Sequence, residues 1–120
     1  MVRLTSAIGR LGSCKAMVVG DLLLDTYTIG KARRISPEAP VAVVQVQKEE
    51  HRPGGAGNVI LNLVSLGSQV VAVGRIGHDA PGELLKQALM AENIDVRGIV
   101  VQNGFFTPVK NRIIAESQQI

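Results

Sequence analysis

The sequence of 120 residues contains little cysteine and few aromatic residues. Cys14 is the only cysteine, so the chain can form neither an internal disulfide nor a cysteine-based zinc site, which favours a reducing compartment. The three aromatic residues are Tyr27, Phe105 and Phe106, whereas proteins that bind single-stranded nucleic acid stack bases on aromatic rings. The net charge of +3 suits a small anion better than a nucleic acid, so a nucleic-acid partner is disfavoured.

A long hydrophobic run is also missing. The most apolar N-terminal segment, residues 16–24, is interrupted by Asp21 and is far shorter than the roughly 20 residues of a membrane-spanning helix. Residues 1–10 lack a convincing signal-peptide core. We therefore expect no membrane partner and a cytoplasmic location.

Several nucleotide-binding and catalytic motifs are absent. The only Gly-Lys pair, Gly30-Lys31, does not end a P-loop motif. A dinucleotide fingerprint beginning at residue 55 would need a third glycine where Ile60 stands. His51 and His78 are isolated, and no G-x-S-x-G motif occurs. The signatures of common hydrolases, metalloenzymes and oxidoreductases are therefore missing.

Three short, continuous apolar segments predict strands that are buried on both faces of a sheet. They lie at residues 16–20, 69–76 and 97–102. Helical patterns separate them at residues 58–66 and 81–93, with Gly67 placed to end the first helix and Asp79 near the start of the second. This alternation predicts an α/β fold with a parallel sheet and flanking helices.

Two further segments alternate between apolar and polar residues, as strands with one wet face do. They lie at residues 41–52 and 107–117. In the second segment Lys110 and Arg112 are two residues apart, so they share one face of an extended strand. We expect these segments to form a small second sheet that stands away from the main one.

Polar residues and glycines lie at the ends of the predicted elements, where open α/β sheets bind ligands. Asp25 follows the first strand with Asp21, and the pair Gly54-Gly55 precedes the helix that Asn58 opens. A carboxylate and a carboxamide can share adjacent sugar hydroxyls, and glycines would let the ring lie against the backbone. Each residue could instead be a turn residue or a helix cap, as could Gly77 and Asp79 after the second strand.

Five segments, in their order along the chain, resemble the ribokinase-like carbohydrate kinases. They are GDLLLD at 20–25, RISPEAPVAVV at 34–44, RPGGAGNVILNLVSLG at 52–67, VGRIGHDAPG at 73–82 and TPVKNRIIA at 107–115. RISPEAPV followed by RPGGAGN is more narrowly similar to the heptose 7-phosphate kinase part of the heptose kinase/adenylyltransferase proteins, which make ADP-heptose for lipopolysaccharide. The resemblance covers about residues 16–120.

The resemblance implies a site for a phosphorylated sugar. In such kinases the residues that match Asp25, Gly54, Gly55 and Asn58 bind the sugar hydroxyls. The two alternating segments match the lid of the family, a small β-sheet that covers the sugar and in many members clasps a second subunit. Three cationic residues in the lid segments are placed to meet the phosphate of the substrate. These are Arg34, Lys110 and Arg112.

The resemblance also implies what this chain is missing. The Gly-Ala-Gly-Asp-type motif, which supplies the catalytic base and an anion hole in this family, does not occur. The adenine site is missing too, so no catalytic residue and no metal ligand are assigned. ATP and Mg²⁺ belong to the complete enzyme, and neither is expected to bind well to residues 1–120.

We therefore expect residues 1–120 to be the N-terminal part of a single ribokinase-like kinase domain, without its C-terminal catalytic part and inactive alone. Its lid segments are predicted at about 26–51 and 105–120. Exposed strands favour a homodimer, through the lid or an open edge of the main sheet. Two alternatives stay open. One is a fragment of another ribokinase-like sugar or nucleoside kinase, and the other is a non-enzymatic dimerisation module.

Overall fold

The computed structural model describes residues 2–10, 12–38 and 40–116, including their side chains apart from those of Val2 and residues 33–35. The described part contains three helices and six strands. In chain order they are α1 (Val2–Gly9), β1 (Lys15–Val19), β2 (Leu22–Ile35), β3 (Ala42–Gly55), α2 (Ala56–Ser65), β4 (Gln69–Gly77), α3 (Ala80–Ala91), β5 (Asp95–Gln102) and β6 (Val109–Glu116).

The main sheet contains the three predicted apolar strands. Its order is β1-β4-β5, and both pairs of neighbours are parallel. Helix α2 precedes β4 and helix α3 joins β4 to β5, which is how parallel strands are usually connected. The predicted α/β fold with a parallel sheet and flanking helices is confirmed, and the strand boundaries differ from the prediction by only a few residues.

The hydrophobic core lies between one face of this sheet and the two flanking helices, and it continues to Leu22 and Leu24 at the start of β2. Ile60 of α2, together with Leu85 and Leu89 of α3, is completely buried against β4 side chains such as Val70 and Ala72. Alternation along the strand places these two β4 residues on the same face. The opposite side of β1 is open, since Met17 is 67% and Val19 is 69% exposed.

The second sheet has the order β3-β2-β6. Strands β2 and β3 form a long antiparallel hairpin, whereas β6 pairs in parallel with β2. Side chains along β2 alternate between buried positions, such as Leu24 and Thr26, and half-buried positions, such as Asp25 and Tyr27. The two predicted alternating segments therefore become the outer strands of a second sheet, whose central strand is β2.

The position of Asp25 differs from the prediction. Asp25 follows β1, but it lies inside β2 and not at the end of an element or in a turn, because the chain leaves the main sheet for only Gly20 and Asp21 before it becomes extended again. Strand β2 was not predicted because Leu22 and Leu23 place apolar residues on both of its faces. The alternation of apolar and polar residues is therefore weak at the start of this strand.

The helix ends agree with the prediction in two of three cases. Gly67 follows α2 with a φ of 93°, and its N–H donates to the Val64 carbonyl, as predicted for a glycine that ends a helix. Asp79 caps α3 by accepting from the Gly82 N–H at 2.9 Å. The prediction that Asn58 caps α2 is wrong, because Gly55 is the N-cap and makes no side-chain cap bond.

Helix α1 was not predicted. Its described side chains are exposed, and Leu4 and Ile8 are 67% and 62% accessible. Among the residues that the structure describes, no helix is both long and apolar enough to cross a membrane.

Candidate functional site

The carboxylate of Asp25 lies directly above Gly54 on the neighbouring strand. Leu23 and Gly54 are partners in the pairing of β2 with β3, so Asp25 and Gly54 face the same side of the second sheet. A Cβ added at Gly54 would stand 2.5 Å from Oδ2 of Asp25 and 2.5 Å from Cδ1 of Leu23. Glycine at 54 thus leaves the space that the Asp25 carboxylate occupies.

Glycine is required at position 55 for a different reason, because the chain turns there from β3 into α2. Its φ of 57° lies in the left-handed region that glycine adopts without strain. A Cβ at this position would come within 2.7 Å of the Asp21 carbonyl oxygen, which accepts from the Ala56 N–H at 2.9 Å. The second glycine therefore brings the start of α2 against the start of β2.

Two cationic residues flank Asp25 on the same face. The register pairs Asp25 with Arg52 of β3 and with Lys110 of β6, and directly opposed residues of neighbouring strands point to the same side. Lys110 was a candidate from the sequence, whereas Arg52 was not. The signal for Arg52 was its position two residues before Gly54, which places both on the same face of one extended strand.

An aromatic ring continues this face beyond Asp25. Tyr27 is paired with Glu50 and Arg112, and Cζ of Arg112 lies 6.0 Å from the centre of the Tyr27 ring. A shallow cavity of about 240 Å³ opens here. It is lined by Tyr27, Ile29, Glu50, Arg52 and Ile114. The predicted placement of Lys110 and Arg112 on one face is confirmed, and Arg112 lies two residue pairs farther along the strands from Asp25 than Lys110 does.

Asn58 lies in the first turn of α2, three residues after Gly55, and it is exposed. It is available for a ligand at the junction where α2 meets β2. Arg34 is farther away. Its backbone pairs with Val43 near the end of β2, and nine residues of strand span about 30 Å. The side chain of Arg34 lies outside the described part, and its backbone position does not bring it to Asp25.

Asp79 and Gly77, which follow the second apolar strand, are engaged in structural contacts. The Asp79 carboxylate accepts hydrogen bonds from Gly82 and from both the N–H and the hydroxyl of Thr107. The Thr107 hydroxyl is the main cause that lowers the pKa of Asp79 below its ordinary value of 3.8. The interpretation of Asp79 as a helix cap is confirmed.

A larger cavity, of about 450 Å³, lies at the amino ends of the main-sheet strands. Its polar lining includes Asp95 and Arg97, which form an ion pair with a closest distance of 2.6 Å. This pairing lowers the pKa of Asp95 to about 2. Ligands of open α/β sheets bind at the carboxyl ends of the strands, so this cavity is the weaker candidate.

The described residues do not fit a site for Mg²⁺. Across residues 2–10, 12–38 and 40–116, no cluster of three or more His, Cys, Asp or Glu side chains could hold a metal ion. The sequence also lacks the phosphate-binding motifs considered above. The arrangement around Asp25 can bind and orient a polar, anionic molecule through a carboxylate, two flanking cations and an aromatic ring.

Comparison with known proteins gives a consistent result. A family model described as "pfkB family carbohydrate kinase" matches residues 14–120. The Bifunctional protein HldE of Geobacter sulfurreducens is 50% identical over 115 residues, which cover 96% of this chain and 24% of that protein. The HldE protein of Helicobacter pylori strain P12 is 50% identical over 106 residues, which cover 88% and 23%. The chain thus spans about a quarter of the length of these curated relatives.

Solved structures share the fold. Ribokinase from Cryptococcus neoformans, crystallised with ADP, matches 87% of this chain and 31% of its own, with a TM-score of 0.60 and 21% identity. Phosphofructokinase-2 from Escherichia coli, crystallised with fructose-6-phosphate, matches 88% of this chain and 32% of its own, with a TM-score of 0.60 and 24% identity.

Proposed function

Because this chain belongs to the pfkB family of carbohydrate kinases, we propose that it is the sugar-binding, N-terminal part of a heptose 7-phosphate kinase domain. The complete enzyme would phosphorylate C1 of the heptose with ATP and Mg²⁺ during ADP-heptose and lipopolysaccharide core synthesis. Half of the aligned residues are identical to the HldE relatives, and RISPEAPV and RPGGAGN support the narrower assignment.

The observation that carries this proposal is the position of the Asp25 carboxylate above Gly54, between Arg52 and Lys110. An ionised carboxylate only accepts hydrogen bonds, so Asp25 binds two neighbouring hydroxyls of the sugar. The backbone at Gly54 and Gly55 contacts the sugar beside this carboxylate, and Asn58 donates to and accepts from a further hydroxyl.

The cations on this face bind the phosphate that the sugar already carries. Arginine offers a planar pair of N–H donors and lysine a compact charge, and both suit a phosphate group. Lys110 and Arg112 are the candidates from the sequence, and Arg52 joins them because it stands opposite Asp25. In this proposal Arg34 contacts the phosphate only in another position of the lid or from a second copy.

Phosphoryl transfer depends on positioning and on stabilisation of charge, with little covalent work for the protein. In this proposal the described residues supply positioning, because they hold and orient the acceptor sugar. The base that receives the hydroxyl proton and the groups that stabilise the transferred phosphoryl lie in sequence that this chain does not contain. The isolated chain then binds substrate without turning it over.

We also propose that the second sheet acts as a lid and that the chain forms a homodimer in the cytoplasm. The outer strands of the second sheet carry exposed apolar side chains. Val46 of β3 is 54% accessible and Ile113 of β6 is 66% accessible. Unpaired strand edges with such side chains tend to associate. The open side of β1, with Met17 and Val19, is the other surface that supports association.

Isothermal titration calorimetry tests the sugar site. D-glycero-D-manno-heptose 7-phosphate should bind the wild-type chain saturably. The Asp25→Ala variant should bind at least tenfold more weakly, because hydrogen bonds to a charged group contribute about 1.5–3 kcal/mol. The affinity of the Asn58→Ala variant should be several-fold lower than that of the wild type. Asp95→Ala is the matched control, since it removes another half-buried carboxylate at the far end of the main sheet.

The alternatives give different results in the same titration. Tighter binding of fructose 6-phosphate than of the heptose phosphate would assign the chain to another ribokinase-like sugar kinase. A folded chain that binds neither sugar would contradict the sugar-site proposal and favour a dimerisation module. Equal affinity of wild type and Asp25→Ala would show that Asp25 is only a strand residue.

A further inference from the structure

A compact group of hydrogen bonds joins the main sheet to the start of β6. The Thr107 hydroxyl accepts from the Gly77 N–H at 2.8 Å and donates to Oδ1 of Asp79 at 2.6 Å. The Thr107 N–H donates to Oδ2 of Asp79 at 2.9 Å. Thr107 is 5% exposed and its bond from Gly77 is buried, whereas its two bonds to the half-buried Asp79 are partly buried. Thr107 is thus bonded to the end of β4 and to Asp79, the cap of α3, which lies 28 positions earlier in the chain.

Thr107 lies two residues before β6, the strand that carries two of the proposed phosphate-binding cations, Lys110 and Arg112. The Pro108 carbonyl accepts from the Leu24 N–H at 2.9 Å. Val109 is then paired with Leu24, and Lys110 with Asp25. The position of Thr107 therefore sets where β6 starts along β2, and a shift of one residue would turn Lys110 to the other face of the sheet.

The segment around Thr107 is packed too tightly against the end of β4 and the start of α3 to shift along them. A Cβ at Gly82 would stand 2.6 Å from the Gly77 carbonyl oxygen and 2.8 Å from the Thr107 hydroxyl. A Cβ at Gly77 would overlap the Phe105 carbonyl oxygen. The guanidinium of Arg75 also stacks on the Phe105 ring, 4.1 Å from its centre. The segment before β6 is thus held by packing as well as by hydrogen bonds.

The bonds of Asp79 exceed what a helix cap requires. A cap needs one side-chain oxygen that accepts from the first turn, and the bond from Gly82 to Oδ1 fulfils this need. Oδ2 accepts from Thr107 instead, and Oδ1 accepts a second bond from the Thr107 hydroxyl. Charge-assisted hydrogen bonds are roughly twice as strong as neutral ones, so the second function of this carboxylate is the anchoring of Thr107.

We propose that Asp79 and Thr107 are positioning residues, which anchor the start of β6 to the main sheet and thereby hold Lys110 opposite Asp25. They contact no substrate and act through the strand that they fix. The effect on sugar binding rests on the function proposed above, whereas the anchoring itself does not.

Amide hydrogen exchange, resolved by residue with NMR, tests the anchoring without any ligand. Thr107→Val keeps the shape of the side chain but removes the hydroxyl that joins Gly77 to Asp79. We expect exchange of the β6 amides to accelerate at least tenfold, while the buried amides of β4 and β5 change less than twofold. Thr107→Ser restores the hydroxyl and should exchange like the wild type.

A second pair of variants keeps the test decisive if Thr107→Val does not fold. Asp79→Asn retains one oxygen for the cap but replaces the other acceptor with an amide donor, so it should accelerate exchange in β6 in the same selective way. Asp95→Asn alters a carboxylate with similar bonds, to the N–H and guanidinium of Arg97, and should leave β6 unchanged. Uniform acceleration across all elements, or unchanged β6 amides in both anchor variants, would overturn the proposal.

The sugar measurement separates this proposal from the proposed function. In a wild-type chain that binds the heptose phosphate, Thr107→Val should weaken binding about tenfold and Thr107→Ser should retain it. Selective acceleration in β6 without any sugar binding by the wild type would support the anchor and reject the sugar site. Wild-type sugar binding with unchanged β6 exchange in the folded variants would reject the anchor alone.

Discussion

At the scale of single residues, the two adjacent glycines have separate physical reasons. Gly54 makes room for a carboxylate from the neighbouring strand, whereas Gly55 permits a left-handed turn into a helix. The sequence indicated a close approach at this pair, and the structure shows that one of the groups approaching is Asp25 of the same chain. The pair therefore shapes the candidate site before any ligand arrives.

Substitution of the first glycine tests this reasoning. Gly54→Ala should lower the free energy of unfolding by about 1–3 kcal/mol, because the new methyl group overlaps both Asp25 and Leu23. Gly12→Ala is the control, since nothing lies within 4 Å of a Cβ there, and it should change stability by less than about 0.5 kcal/mol. Urea unfolding measures both. Equal stability of the two variants would show that Asp25 moves away at little cost.

The lowered pKa of Asp79 predicts a dependence of stability on pH. The Thr107 hydroxyl, the backbone N–H groups of Thr107 and Gly82, and the charge of His78 favour the ionised carboxylate in the folded chain. Its contribution is therefore present above the ordinary pKa of 3.8 and is lost as the pH falls through the lowered folded value. The stability difference between wild type and Asp79→Asn should shrink below pH 4. A difference that stays constant down to pH 2 would contradict this.

At the scale of helices and strands, the sequence was informative where one pattern dominates. The continuous apolar segments predicted β1, β4 and β5, and helical spacing predicted α2 and α3. It was uninformative for β2, whose faces both carry apolar residues, and for the exposed helix α1. The cap of α2 was misassigned because a backbone turn at Gly55 replaces the expected side-chain bond of Asn58. The pairing of Arg52 with Asp25 could not be read from the sequence, where only the two-residue spacing between Arg52 and Gly54 was visible.

Two neighbouring leucines on α3 test the orientation of this helix. Leu85 is completely buried in the hydrophobic core, whereas Leu84 is 42% exposed. Leu85→Ala should lower the free energy of unfolding by about 2–5 kcal/mol, and Leu84→Ala should have a much smaller effect. Urea unfolding of the two variants checks this. A larger loss for Leu84→Ala would mean that α3 presents a different face to the core.

At the scale of the whole molecule, the chain is more extended than a compact domain. Its radius of gyration is 19.1 Å, whereas a compact domain of this length would have about 14 Å. The main sheet is packed by helices on one face, and its open side and the outer strands of the second sheet expose apolar side chains. The shape explains why the candidate site is a shallow face and why association is expected.

Light scattering after size exclusion tests this association. We expect a mass that rises towards that of a dimer as concentration increases. Ile113→Lys should reduce it if the second sheet forms the contact, and Val19→Lys should reduce it if the open side of β1 does. Leu66→Lys, at an exposed position just after α2, is the control. A monomer at every concentration would contradict the proposed homodimer.

The most direct test of the sugar site is an NMR titration of the labelled 120-residue chain with D-glycero-D-manno-heptose 7-phosphate. We predict saturable shifts of backbone amides around Asp25, Gly54 to Asn58, and Lys110 to Arg112. In Asp25→Ala the same shifts should require at least tenfold more sugar. A well-dispersed spectrum without shifts, or shifts confined to the cavity around Asp95 and Arg97, would contradict a sugar site at the junction of β2, β3 and β6.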